Sequence, residues 1–164
     1  MIDICRRNRL YRQAFTLIEL LVVMGIIVAI ALVALPNLLG RRNTGDLTNT
    51  ATQIAALLRQ AQSASMAQEQ GVSWGVHFQN ATATAPFYAL FTSVYSTTST
   101  TGYYRLPNTV GYLTSTLSSG SSLDITFSQI LGAASASTSM GLYLLGQPSS
   151  QAIISVASSG VVSF

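Results

Sequence analysis

His77 is the single histidine of this 164-residue chain. With Asp124 and one of the many serines it could be written as a nucleophilic triad, but so many serines guarantee such a set by composition alone. A surface or hydrogen-bonded strand position is the better expectation for His77. Cys5 is the single cysteine, so no intrachain disulfide forms, and one His with one Cys does not make a usual zinc site. The sequence holds no Gly-rich phosphate loop, no HExxH and no GxSxG. No catalytic group and no cofactor is implied. Arg59 and Arg105 stand alone, whereas phosphate binding needs clustered cations, which argues against a nucleic-acid partner. Tyr88, Tyr95, Tyr103, Tyr104 and Tyr112 could stack on bases or sugars, but their spacing suits packing on a sheet face. Asn80-Ala81-Thr82 matches a glycosylation acceptor.

One further titratable group stands out by its surroundings. From Phe15 to Leu35 the sequence is apolar except at Thr16 and Glu19. A carboxylate in such a run costs about 3 kcal/mol on membrane-insertion scales, so it calls for a partner and a purpose.

The elements around that carboxylate follow from composition. Charged residues make up 8% of the chain, well below the usual share of about 25%. All eight basic residues are Arg, and Arg6, Arg7, Arg9 and Arg12 precede Phe15. Beyond residue 14 the acidic and basic side chains cancel, so the basic character belongs to the N-terminal tip. Residues 15–39 form one apolar run, about 37 Å long as a helix, which suffices to span a bilayer. The Arg-rich flank places the N-terminus in the cytoplasm and exports the remainder. Residues 43–70 read as a second helical stretch with Asp46 as N-cap and Gly71 as stop. Its apolar stripe of Leu47, Ala51, Ile54, Leu58 and Ala61 suits packing on the chain's own sheet.

After Gly71 the period becomes two. Val72, Trp74, Val76 and Phe78 point one way, and Ser73, Gly75 and His77 the other. Further strands are expected at 87–95, 103–106, 123–127, 141–145, 152–157 and 161–164, with a short turn at Ser158-Ser159-Gly160. The fold class is α+β: a long N-terminal helix, then a small antiparallel β domain. From residue 72 onward only Arg105 and Asp124 carry formal charge, so the strand edges lack the charges that usually discourage pairing.

Two ordinary readings of the opening run, a plain anchor and a secretory signal cut near Ala29-Ile30-Ala31, leave Glu19 unexplained. Ala14-Phe15-Thr16-Leu17-Ile18-Glu19, after an Arg-rich leader and before an unbroken apolar run, resembles the type III signal of type IV pilins and type II secretion pseudopilins. The resemblance implies that a prepilin peptidase cuts the Ala14–Phe15 bond and methylates the new amino group of Phe15. Ala14 stands where the family usually has Gly. It further implies that Glu19 pairs with the Phe15 amine of a neighbouring subunit and sets axial register, and that Pro36 bends the helix. Leu58, Arg59 and Ala61, leading on to Val72 and Val76, are similar to the helix-to-strand passage of H-type pseudopilins and FimT-like minor pilins. Residues 153–164 are similar to that group's closing hairpin.

The expected organisation is a cleaved leader (1–14), a transmembrane and assembly helix (15–39), its periplasmic continuation (40–71) and a β domain (72–164). The expected role is a structural, non-enzymatic subunit of a type IV pilus-like filament or a type II secretion pseudopilus. Its expected partners are prepilin peptidase, other pilin or pseudopilin subunits and the inner membrane. A minor pilin for adhesion or DNA uptake is the first alternative. A membrane-anchored or secreted β-domain enzyme or binding module is an alternative of another class.

Overall fold

A computed structural model describes residues 16–164, except for the side chains of residues 33–43. The leader and the Ala14–Phe15 bond lie outside the described residues. The chain divides into two units, Met1–Leu39 and Gly40–Phe164.

One helix, α1 (Leu17–Met66), runs through the boundary between them. The break expected around Asn43 to Asp46 does not occur, and Asp46 is not a cap. Its backbone carbonyl accepts the Thr50 hydroxyl at 2.7 Å, and its carboxylate accepts the Thr109 hydroxyl at 2.9 Å. Cap-forming residues are tolerated inside a helix when their side chains find other partners. Pro36 also falls inside the helical range, and the bend expected there concerns residues whose side chains are outside the described set.

The helix ends at Met66 rather than near Gly71. Gln68 turns left-handed at φ 54°, and a short 3-10 turn, Glu69–Gly71, follows. Gly71 itself has φ +69°, a conformation glycine adopts without steric cost.

Eight strands follow: β1 (Trp74–Gln79), β2 (Phe87–Thr92), β3 (Thr100–Arg105), β4 (Val110–Tyr112), β5 (Ser122–Phe127), β6 (Thr138–Leu144), β7 (Gln147–Val156) and β8 (Val162–Ser163). They form two four-stranded antiparallel sheets, ordered β3-β2-β1-β5 and β4-β6-β7-β8. The predicted strands are all present. β4 was not expected, because three residues are too few to show a period. The turn at 158–160 joins β7 to β8, with Gly160 at φ +89° and the Ala157 N–H on the Val161 carbonyl at 2.9 Å.

The predicted stripe of α1 is the heart of the core. Leu47, Ala51, Ile54, Leu58 and Ala61 are all buried. They join one cluster with Val76, Phe78 and Ile125 of the first sheet and Leu142, Ile154 and Val156 of the second. The part of α1 from Leu47 onward thus packs on both sheets of the second unit.

Polar ties fix its position. Arg59 donates to the Val162 carbonyl at 3.1 Å, Gln62 to the Gly132 carbonyl at 3.0 Å, and Tyr88 to Gln53 at 3.3 Å. The buried Ser65 hydroxyl accepts the Trp74 N–H at 2.8 Å, closing the passage from helix to strand.

Candidate functional site

The start of α1 is built locally. The Thr16 hydroxyl accepts the Glu19 N–H at 3.3 Å, and the Thr16 carbonyl accepts the Leu20 N–H at 3.2 Å. Thr-x-x-Glu is the spacing of a capping box, in which the hydroxyl satisfies a donor that the helix leaves open. This capping signal is legible in the sequence, although the apolar run around Glu19 draws attention to its charge instead. A carboxylate in the first turn also complements the helix dipole.

Around Glu19 the helix is apolar and open. Leu17, Ile18, Leu20, Leu21, Ile26 and Ile30 are each more than half exposed, and Glu19 is exposed with them. Isolated apolar side chains are ordinary on a surface, but a continuous apolar cylinder marks an interaction site. Among the described residues no helix is long and apolar enough to cross a membrane. The span expected over 15–39 includes Phe15 and side chains from residue 33 onward, which lie outside the described residues.

A family model, the prokaryotic N-terminal methylation motif, matches residues 9–35. The match covers the N-terminal segment alone. Among solved structures, a crystal structure of the type IV minor pilin FimU of Pseudomonas aeruginosa is similar, with a TM-score of 0.48 and 13% identity over 71% of this chain and 90% of that one. No curated protein matches the chain.

In the β unit, the structure brings two of the suspected catalytic residues together. His77 Nδ1 lies 2.5 Å from an Asp124 oxygen, across the β1–β5 register pair. His77 is buried rather than at the surface, and its bond to Asp124 makes it a hydrogen-bonded strand residue. The reason is the segment after β2: Tyr95 folds back so that its ring stacks on the imidazole. Phe91 likewise covers Gly75, so both faces of β1 are closed. His77 Nε2 has no hydrogen-bond partner among the described residues, so no serine hydroxyl completes a triad. Burial, together with Tyr103 and Asp124 nearby, raises the Tyr95 hydroxyl pKa above its ordinary value.

The remaining candidates separate. Tyr88 and Tyr112 pack in the core, while Tyr103 and Tyr104 stay about half exposed. Tyr104 stacks on Tyr88 at 5.4 Å, and Arg105 lies 6.0 Å from the Tyr103 ring. Asn80 is buried and its amide donates to the Leu117 carbonyl at 2.9 Å, so the glycosylation match falls on an inaccessible side chain. No group of His, Cys, Asp and Glu among the described residues could hold a metal ion.

Proposed function

We propose that this chain is a structural, non-enzymatic subunit of a type IV pilus-like filament or type II secretion pseudopilus, assembled through the start of α1. One observation carries the reading. The helix from Leu17 to Leu32 exposes its apolar side chains on all sides, with Glu19 as the single charged residue among them. Such a surface calls for lipid first and for neighbouring helices afterwards.

On this reading prepilin peptidase cuts Ala14–Phe15 on the cytoplasmic side of the inner membrane. The chain then sits in the membrane as a single pass, with the β unit exported. Cleavage creates a cationic amine at Phe15. Inside a filament, that amine and Glu19 of a neighbour form a pair that fixes axial register, since an unpaired charge among apolar helices is costly. Pro36 lacks an amide donor and loosens the helix beyond the membrane.

Mass spectrometry of the mature N-terminus tests the reading. A chain beginning at methylated Phe15 supports it. An intact Met1, or a start near Leu32, overturns it. Deletion then separates the two filament systems: loss of surface pili points to the pilus, and loss of an exported protein to the secretion pseudopilus.

A further inference from the structure

A cleft of about 350 Å³ opens in the β unit between the end of β1, the β3–β4 connection and β6. Its size lies within the usual range for small-molecule sites, roughly 300–1,000 Å³. Apolar side chains such as Leu106 and Val110 contribute to its walls, and no charged residue lines it.

Its polar groups are neutral, and several are unspent. Asn80 is nine-tenths buried. Its side-chain nitrogen donates to the Leu117 carbonyl, its N–H donates to the Ser121 carbonyl at 3.0 Å, and its own carbonyl accepts the Gly120 N–H at 2.6 Å. These three bonds lock the residue, yet its Oδ1 accepts no hydrogen bond from the described residues. That oxygen is not sealed from solvent, so it stands as a fixed acceptor at the cleft. Thr114, Ser119, Asn108 and Tyr143 line the same cleft, and their side-chain polar groups have no protein partner among the described residues.

Tyr143 is held in place by its cross-strand partner. It faces Gly111 in the β4–β6 register, and a Cβ on Gly111 would meet the Tyr143 ring at 3.0 Å. The missing side chain lets the ring lie close along β4, partly buried beside the cleft.

We propose that this cleft binds an uncharged sugar unit of a glycan. Hydroxyl groups both donate and accept, which matches one locked amide acceptor, three hydroxyls and a free amide. An aromatic ring with an apolar face and a polar tip suits the mixed surface of a sugar. An ionic ligand would lose its hydration here without a counter-charge. An extended peptide is a poorer fit, because peptides are held chiefly through free main-chain groups. Along this wall the Val110 and Leu145 N–H groups are already bonded to the Pro107 and Thr109 carbonyls.

The test uses the full chain in phosphatidylcholine nanodiscs, free of glycoside detergents, titrated with maltose, cellobiose and N,N′-diacetylchitobiose and followed by saturation-transfer NMR. At least one disaccharide should bind saturably with a Kd of order 1 mM. Tyr143→Ala and Asn108→Ala should each weaken it about tenfold while circular dichroism stays unchanged. Glu19→Ala should leave it unchanged, so the result does not depend on filament assembly. The proposal is overturned if none of the three sugars binds saturably, if Tyr143→Ala binds as well as the natural chain, or if the neutral peptide Gly-Ser-Ala-Thr-Gly occupies the cleft and the sugars do not.

Discussion

The rings of His77 and Tyr95 lie flat on each other, 3.4 Å between centroids and 1° between planes. Tyr95 belongs to the segment between β2 and β3, whose hydroxyls tie it into a compact loop: Ser99 donates to the Val94 carbonyl at 2.7 Å and Thr100 to the Ser96 carbonyl at 2.8 Å. The loop therefore acts as a cover over the outer face of the first sheet.

Removing that cover should expose the histidine. Tyr95→Ala is expected to speed modification of His77 by diethyl pyrocarbonate severalfold. The chain has one histidine, so absorbance at the carbethoxy-imidazole band reports it directly. An unchanged rate would mean that other groups close the site.

Two glycines should respond in opposite directions to alanine. A Cβ on Gly75 would meet the Ile125 carbonyl and the Phe91 ring at 2.7 Å, and two of its neighbours are backbone or tightly packed. Gly75→Ala should cost about 1–3 kcal/mol by overpacking. Gly45 lies inside α1 with nothing within 4 Å of its Cβ position, so Gly45→Ala should stabilise the helix by about 1 kcal/mol. Thermal unfolding of the two variants should bracket the natural chain.

High pH should unfold the β unit by a specific route. Tyr112 is buried and donates to the Phe87 carbonyl at 3.1 Å, and burial, with Tyr88 beside it, raises its pKa far above the ordinary tyrosine value. The neutral form is the one the fold accepts. Stability from this group is therefore complete below pH 10 and is lost progressively as pH climbs above 10, where the unfolded chain ionises first. Tyr112→Phe should lose about 1 kcal/mol at neutral pH through the missing hydrogen bond and show a shallower decline above pH 10. Denaturant midpoints measured from pH 7 to 11 check both slopes.

Glu19 has two candidate roles that one substitution separates. Gln keeps the capping geometry at this position but removes the charge. If Glu19 pairs with a neighbouring amine, Glu19→Gln should insert and be processed normally yet fail to enter filaments. Filaments containing the variant at the natural level would assign the residue to helix capping alone.

The Arg59 tie joins α1 to the last hairpin. It is a charge-assisted bond on an exposed side chain, so Arg59→Ala should cost no more than roughly 1 kcal/mol. Its clearer mark should be faster hydrogen exchange in residues 155–163, because β8 has only two residues paired to β7.

Local chemistry made several features legible in the sequence. The spacing of Leu47, Ala51, Ile54, Leu58 and Ala61 repeats once per helical turn, and all five are buried. Trp74, Val76 and Phe78 alternate in β1, and Ser158-Ser159-Gly160 closes a hairpin as expected. The basic leader and the apolar run containing Glu19 carried the family motif at 9–35. Each of these signals lies within a few dozen residues, where the side-chain period or a turn residue is enough.

Other features arise only when distant segments meet. Asp46 has the chemistry of a cap, but Thr109, 63 positions along, takes its carboxylate and the helix runs on through it. His77 has the pattern of an outward strand residue, but Tyr95 and Asp124 close over it. Asn80 matches a modification signal, yet Leu117 holds its amide inside the fold. The division of the strands into two sheets is likewise a matter of which edges pair. The sequence by itself determined the helix face, the alternating strands and the N-terminal motif, because those depend on local period and charge. Tertiary structure decided which polar groups are buried, which are paired and which remain open in the cleft, because burial depends on residues far apart in the chain.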